Sequence, residues 1–86
     1  MRDLELKNVL KIDGREFLVS TISMNVRHSW FEGDNQKIVY ETMVFEIIDD
    51  KVSYEKPVFN ERYNTQDEAI AEHGAILKDP KAFFIL

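Results

Sequence analysis

The 86-residue chain contains no cysteine, and it has only two prolines, three glycines and one tryptophan. The lack of cysteine excludes disulfide bonds, thiolate metal ligands and a cysteine nucleophile. The scarcity of proline and glycine leaves no flexible linker and no low-complexity segment. Small secreted domains commonly depend on disulfides, so this composition favours the cytoplasm.

Long apolar runs are also absent. A membrane-spanning helix needs about 20 consecutive apolar residues, and no run in this chain approaches that length. The N-terminal segment is interrupted by charges at Arg2, Asp3, Glu5 and Lys7, which a signal peptide would not tolerate in its apolar region. We therefore expect a cytoplasmic protein without a membrane partner.

Acidic residues outnumber basic ones by 16 to 11, and the net charge at pH 7 is −5. Residues 31–86 carry twelve acidic and six basic side chains, whereas residues 1–30 carry four and five. A negative surface repels phosphate, which disfavours nucleic-acid binding. Two interpretations remain: a charged surface that maintains solubility, or an acidic surface directed at a basic partner.

Two β-hairpins are predicted before residue 60. Leu4, Leu6, Leu10 and Ile12 alternate with polar residues, Asp13-Gly14 is a two-residue turn signal, and residues 15–24 are rich in β-branched side chains. The second hairpin comprises a strand over residues 37–48, a turn at Asp49-Asp50 and a return strand that Pro57 confines to an edge.

The predicted register of the second hairpin also predicts which side of the sheet is buried. A two-residue loop would place Ile47 opposite Val52 and Phe45 opposite Tyr54, on the same side as Met43. We expect this apolar side to face the core.

A helix is predicted after residue 65. Thr65 is a candidate N-cap that forms a capping box with Glu68, and Pro80 should end the helix near residue 78 or 79. One apolar stripe recurs at helical spacing: Ala69, Ile70, His73, Ile76 and Leu77. The fold expected is a single α+β domain over residues 1–86, with an antiparallel sheet of about four strands packed by one helix in the C-terminal half.

No pattern of catalytic, metal-binding or cofactor-binding residues is recognised. His73 lies on the helix stripe, and we expect a packed histidine with one hydrogen bond to the sheet or a loop. Glu72 is adjacent to it rather than three or four positions away, so the two do not form a helical ligand pair. We therefore expect a binding protein rather than an enzyme, with no cofactor or metal.

Candidate protein-binding residues occur in two segments. The loop predicted over residues 25–36 contains Arg27, His28, Trp30 and Phe31, and tryptophan and arginine are enriched at binding hot spots. The same aromatic rings could instead cover one end of the core. The apolar tail, residues 81–86, includes Phe83 and Phe84, and it could form an extra strand, a core plug or a contact between subunits.

Two segments carry a resemblance to a known family. Tyr40–Phe45 reads YETMVF, and Arg62–His73 reads RYNTQDEAIAEH. Both resemble small uncharacterised proteins encoded by phages and prophages of Gram-positive bacteria, although Glu72 stands where that family commonly has glycine.

The resemblance covers about half of the chain and implies a phage origin without naming an activity. It suggests a small accessory protein that binds a host or phage protein in the bacterial cytoplasm, as an acidic inhibitor or modulator. The alternative is a structural or assembly component of a virion, a homo-oligomer with the C-terminal tail in a subunit interface.

Overall fold

The computed structural model describes residues 4–27 and 36–84. Its strands form one antiparallel sheet: β1 (Glu5–Ile12), β2 (Arg15–Arg27), β3 (Gln36–Ile48), β4 (Lys51–Val52) and β5 (Phe59–Tyr63). The sheet is followed by helix α1 (Gln66–Lys78) and a 3₁₀ turn over Pro80–Ala82. The predicted α+β fold, with one helix in the C-terminal half, is confirmed.

The strands β1, β2 and β3 lie side by side in chain order, and β4 and β5 share the outer edge of β3. The predicted return strand is interrupted, because pairing stops after Val52 and resumes only at Phe59. Pro57 lies in this interruption, where the missing N–H of proline costs no sheet hydrogen bond. The prediction of about four strands therefore missed β5 as a separate strand.

Both predicted two-residue turns are present. Asp13 and Gly14 have φ angles of 50° and 80°, and Asp49 and Asp50 have 52° and 64°. Positive φ at both central residues is typical of the type I′ turn, whose twist matches that of the flanking strands. In the second hairpin, the predicted pairing of Ile47 with Val52 is confirmed, whereas the ladder ends at Val52 and does not include Tyr54. In the first hairpin, the turn places Ile12 opposite Arg15.

The helix covers the side of the sheet opposite to the one predicted. Phe17, Val19, Val44 and Ile76 are completely buried in the core that α1 closes. Because side chains alternate along a strand, Met43, Phe45 and Ile47 point to the other side. Phe45 is buried there beneath Tyr54, with ring centroids 5.0 Å apart, but Tyr54 itself is 65% exposed. The predicted core face was therefore wrong.

Helix α1 begins and ends close to the predicted residues. Thr65 is the N-cap, and its Oγ1 accepts a hydrogen bond from the Glu68 N–H at 3.1 Å. The Glu68 carboxylate accepts from the Thr65 hydroxyl at 2.9 Å, so the box closes through side chains. Asp79 is the C-cap, directly before Pro80. No helix in residues 4–27 and 36–84 is long and apolar enough to cross a membrane.

Four members of the predicted helix stripe face the sheet, and one does not. Ala69, His73 and Ile76 are buried, and Leu77 packs against the core. Ile70 was predicted to be buried but is 43% exposed. The remaining stripe packs the thirteen-residue helix against β1, β2, β3 and β5.

The contrast between Ile76 and Ile70 gives a matched test of the core. Replacing Ile76 by alanine should lower the free energy of unfolding by about 2–5 kcal/mol, because the fully buried side chain leaves a cavity. The same change at Ile70 should cost less than about 1 kcal/mol, since water already reaches that side chain. Urea unfolding followed by circular dichroism measures both. If Ile76→Ala does not fold, Ile76→Val should cost about 0.5–1.5 kcal/mol. Equal losses at positions 70 and 76 would contradict this core.

Candidate functional site

A chain of buried polar side chains connects the helix to the sheet. His73, which is only 4% exposed, lies between two strands, with its Nδ1 2.7 Å from Thr21 Oγ1 and its Nε2 2.8 Å from Asn8 Oδ1. Thr21 Oγ1 is in turn 2.6 Å from Thr42 Oγ1 on β3. One helical residue is therefore hydrogen-bonded to β1 and β2 and, through Thr21, to β3. Sequence reasoning expected one hydrogen bond at His73, and the structure shows two.

The geometry of this chain is compatible with a neutral imidazole. The amide oxygen of Asn8 accepts, so Nε2 of His73 carries a proton, and in the neutral ring Nδ1 then accepts from the Thr21 hydroxyl. Thr21 is then free to accept from Thr42. A neutral imidazole satisfies every member, and burial lowers the pKa of His73 from its usual 6.5.

Tyr63 stands at the β5 end of the same chain. Its hydroxyl is buried toward Thr42, but it makes no hydrogen bond of ordinary geometry to the described residues. Burial, together with the carboxylates of Glu72 and Glu61, raises the pKa of Tyr63 to about 12. The phenol therefore stays protonated, and this end of the helix side is acidic.

His73 lines none of three depressions on the surface of the described residues. These lie along residues 52–56, at Ser23–Asn25 with Ile38, and beside Leu4, Glu5 and Ile22. Within residues 4–27 and 36–84, no group of three His, Asp or Glu side chains is arranged to hold a metal ion. The arrangement of His73 fits a structural role, as the connection between helix and sheet.

The opposite side of the sheet, which we call the open face, carries the second notable feature. Its central part is an apolar strip over β2 and β3, interrupted by Ser20 and Glu41, which point to the same side. Seven apolar side chains that point away from α1 form the strip: Leu18, Ile22, Met24, Val39, Met43, Phe45 and Ile47. None of these residues belongs to the core cluster under the helix. Phe45 is buried beneath Tyr54, and the other six side chains are half-buried.

Charged residues border the strip on both sides. On β1, Lys7 lies opposite Ser20 and Glu5 opposite Ile22, while on β5 Arg62 lies opposite Glu41. The Arg62 Nε is 3.3 Å from the Glu41 carboxylate. An apolar centre with a polar rim is the usual anatomy of a protein-binding surface. Two methionines in the strip add side chains that adapt to irregular partners.

The predicted binding residues are placed as follows. His28, Trp30 and Phe31 lie outside the described residues, and Arg27 is described only as the backbone of the last position of β2, paired with Gln36. Phe84 is buried, with its ring 5.2 Å from that of Phe17, and Phe83 packs edge-on against Phe59 at 5.9 Å. Of the three roles considered for the tail, the structure shows the core plug over residues 83 and 84.

The open face is the surface that sequence reasoning did not identify as a binding site. The sequence pattern grouped only Met43, Phe45 and Ile47 of this face, with Val52 and Tyr54, and predicted that they face the core. One sequence signal could have distinguished the core face from the open face: the polar residues that pair with each other on the helix side of the sheet. Thr21 lies opposite Thr42, where a buried histidine of the helix can use both strands.

The pKa of His73 predicts a pH dependence of stability. The unfolded chain gains a proton at this residue below pH 6.5, while the folded chain resists it. The free energy of unfolding should therefore fall from about pH 7 to about pH 5, by at most about 1.4 kcal/mol per pH unit. Above pH 6.5 this contribution is fully present. Urea unfolding at a series of pH values measures it.

Two variants test whether His73 causes this dependence of the free energy of unfolding on pH. His73→Gln should flatten it, whereas His28→Gln, at the only other histidine, should leave it in place. Measurements above about pH 5 avoid the titration of carboxylates, including Glu46, whose pKa is lowered by its hydrogen bonds to Arg15. An unchanged slope in His73→Gln would refute the assignment.

Comparisons with protein-family models, with curated proteins and with solved structures return no match for this chain.

Proposed function

We propose that this chain acts by binding another protein, and that the open face of the sheet receives an amphipathic helix of that partner. The observation that carries the proposal is the apolar strip over β2 and β3, which lies outside the core and has a charged border. Tyr54, 65% exposed at one end of the strip, adds an aromatic side chain of the kind that dominates binding energies.

The dimensions of the strip favour a helix as the occupant. Leu18 to Met24 spans six residue steps, or about 20 Å along the strand, and two strands are about 10 Å wide. An α-helix of about 13 residues has this length and diameter. The chain provides its own precedent, because α1 has thirteen residues and packs over the same two strands from the other side.

The charges favour a basic partner. The net charge of −5 attracts basic proteins over a distance of about 10 Å at moderate salt. Glu61 and Glu72 lie together near Tyr63, where their carboxylates contribute to its raised pKa. We expect the negative charge to increase the rate of association with a basic partner, while the apolar strip supplies most of the binding free energy.

The resemblance to phage-encoded proteins supplies the biological setting of the proposal. The chain is then a small accessory protein that acts in the cytoplasm of a bacterial host and modulates a host factor by occupying one of its helices. The alternative of a virion component relied on the C-terminal tail as a subunit contact. Phe84 is buried against Phe17 within this chain, so no observation favours that alternative.

A photo-crosslinking experiment tests the proposal. A photoreactive phenylalanine analogue is placed at Met43, on the strip, or at Ile70, exposed on the helix side, and the chain is produced in a Gram-positive host. Position 43 should yield an adduct with one protein, at an amphipathic helical segment identified by mass spectrometry. Adducts that form equally from both positions, or on a segment without an apolar stripe, would overturn the proposal.

Matched charge variants test the strip with the captured partner. Ile22→Lys and Met43→Lys each place a charge in the apolar centre and should weaken binding at least about tenfold. Ile70→Lys introduces the same charge on the other side and should leave the affinity unchanged. Circular dichroism confirms that each variant is folded. Binding that survives both strip substitutions would exclude this surface as the site.

A further inference from the structure

The strand β1 forms one edge of the sheet, and its outward backbone groups have no partner among the described residues. β1 pairs only with β2. The N–H of Ser23 donates to the carbonyl of Leu4 at 3.0 Å, which continues the hydrogen-bonded pairing of the even-numbered residues of β1. Glu5, Lys7, Val9 and Lys11 therefore direct their N–H and C=O groups away from the sheet.

This edge is long and regular, which is uncommon for an unprotected strand. Its eight residues contain no proline and no glycine. Native proteins shorten, bulge or charge their edge strands because exposed edges pair indiscriminately. The only protection on β1 is charge, from Glu5, Lys7 and Lys11, and charges permit pairing where opposite signs meet.

We propose that β1 pairs with β1 of a second copy of this chain, antiparallel about a two-fold axis through Asn8, so that two five-stranded sheets form one continuous ten-stranded sheet. The two-fold axis makes every contact occur twice. This contact uses the outer backbone edge of β1 and does not involve the C-terminal tail. Glu5 and Lys7 belong both to this edge and to the border of the open face. The inference does not depend on the partner proposed above.

Charge complementarity selects the register. With Asn8 opposite the second copy's Asn8, Glu5 lies opposite Lys11 at both ends, and Leu6 lies opposite Leu10 on the helix side. Centring the pair on Lys7 would bring two Lys7 side chains together, and centring it on Val9 would bring Lys7 opposite Lys11. Like charges directly opposite are destabilising, so both neighbouring registers are disfavoured.

The more distant registers are poorer for other reasons. Centring on Leu6 pairs only residues 5–7 of the strand. Centring on Leu10 pairs polar Asn8 with Ile12, which is buried in the core of its own chain. The register through Asn8 pairs residues 5–11, which is the longest overlap without a clash of charge. Repulsion between lysines therefore disfavours the two registers nearest to the one through Asn8.

The central residue has an unused donor for this contact. Asn8 Oδ1 accepts from His73, which leaves its amide N–H₂ group free of side-chain partners within the described residues. At the centre of an antiparallel non-hydrogen-bonded pair, opposing Cα atoms are about 4.5 Å apart. Each Asn8 amide can then donate to the other's Oδ1, which retains a second lone pair. The polar chain from Thr42 through His73 would continue across the two-fold axis.

Single-cysteine crosslinking tests the register directly, because the natural chain has no cysteine. In the proposed dimer, Asn8→Cys brings two sulfurs within disulfide distance and should give a crosslinked dimer under mild oxidation. Leu10→Cys is the matched control, since two residues numbered 10 would be about 14 Å apart along the strands. A crosslink at 10 and none at 8, or none at either, would overturn the proposal.

Charge reversal tests the pairing without oxidation. Glu5→Lys and Lys11→Glu, each alone, place like charges opposite one another twice and should raise the dissociation constant of the dimer at least about tenfold. Mixing the two single variants restores opposite charges at both ends, so a heterodimer should form at wild-type affinity. Light scattering and sedimentation measure the masses. Wild-type chain that stays monomeric up to millimolar concentration, or a mixture that does not associate, would refute the inference.

Discussion

The arrangement of the molecule depends on the hydrogen bonds of His73, because they determine which side of the sheet the helix covers. The sheet offers apolar residues on both sides, and α1 can bury only one of them. On the covered side, Thr21 and Thr42 lie directly opposite each other and face the histidine. On the open face, the neighbouring pairs are Ser20 with Met43 and Ile22 with Glu41, and neither provides two hydroxyls.

The cost of unpaired polar groups disfavours a helix on the open face. A buried donor or acceptor left without a partner costs about 1–3 kcal/mol, which is comparable to one buried apolar side chain. If α1 were moved to the open face, His73 would be buried without the Thr21 hydroxyl and the Asn8 amide. The hydrophobic effect favours contact between helix and sheet but is not directional. The hydrogen bonds of the polar chain select the side of the sheet and the position of the helix on it.

Local features of the fold could be predicted from the sequence because they depend on neighbouring residues. The turns at Asp13-Gly14 and Asp49-Asp50 require positive φ, and the N-cap at Thr65 and the stop at Pro80 each involve a few adjacent positions. The covered side of the sheet could not be predicted, because it depends on a contact between positions 21 and 73. When apolar content alone is considered, a strand with Met43, Phe45 and Ile47 on one side is expected to bury that side.

The missed strand and the missed site have related causes. β5 has the sequence FNERY, and its two aromatic residues, Phe59 and Tyr63, face the helix side. The three consecutive polar residues between them interrupt the alternation that would predict a strand. The pairing of Val44 with Phe59 is created by tertiary structure and compensates for a weak local preference. The candidate binding surface was missed for the converse reason: its residues had a strong pattern, and a strong apolar pattern does not say whether the same chain or another one covers it.

The polar chain also connects three regions of the molecule: the edge strand β1, the helix and β3, which carries part of the open face. Asn8 belongs to the free edge of β1, His73 to the helix, and Thr42 to a strand that carries the open face on its other side. A change that displaces the helix therefore removes the partner of Asn8 and alters the support beneath the apolar strip. In a sheet one layer thick, the core side and the proposed binding side share the same two strands, because each residue that anchors the helix alternates with one that faces outward.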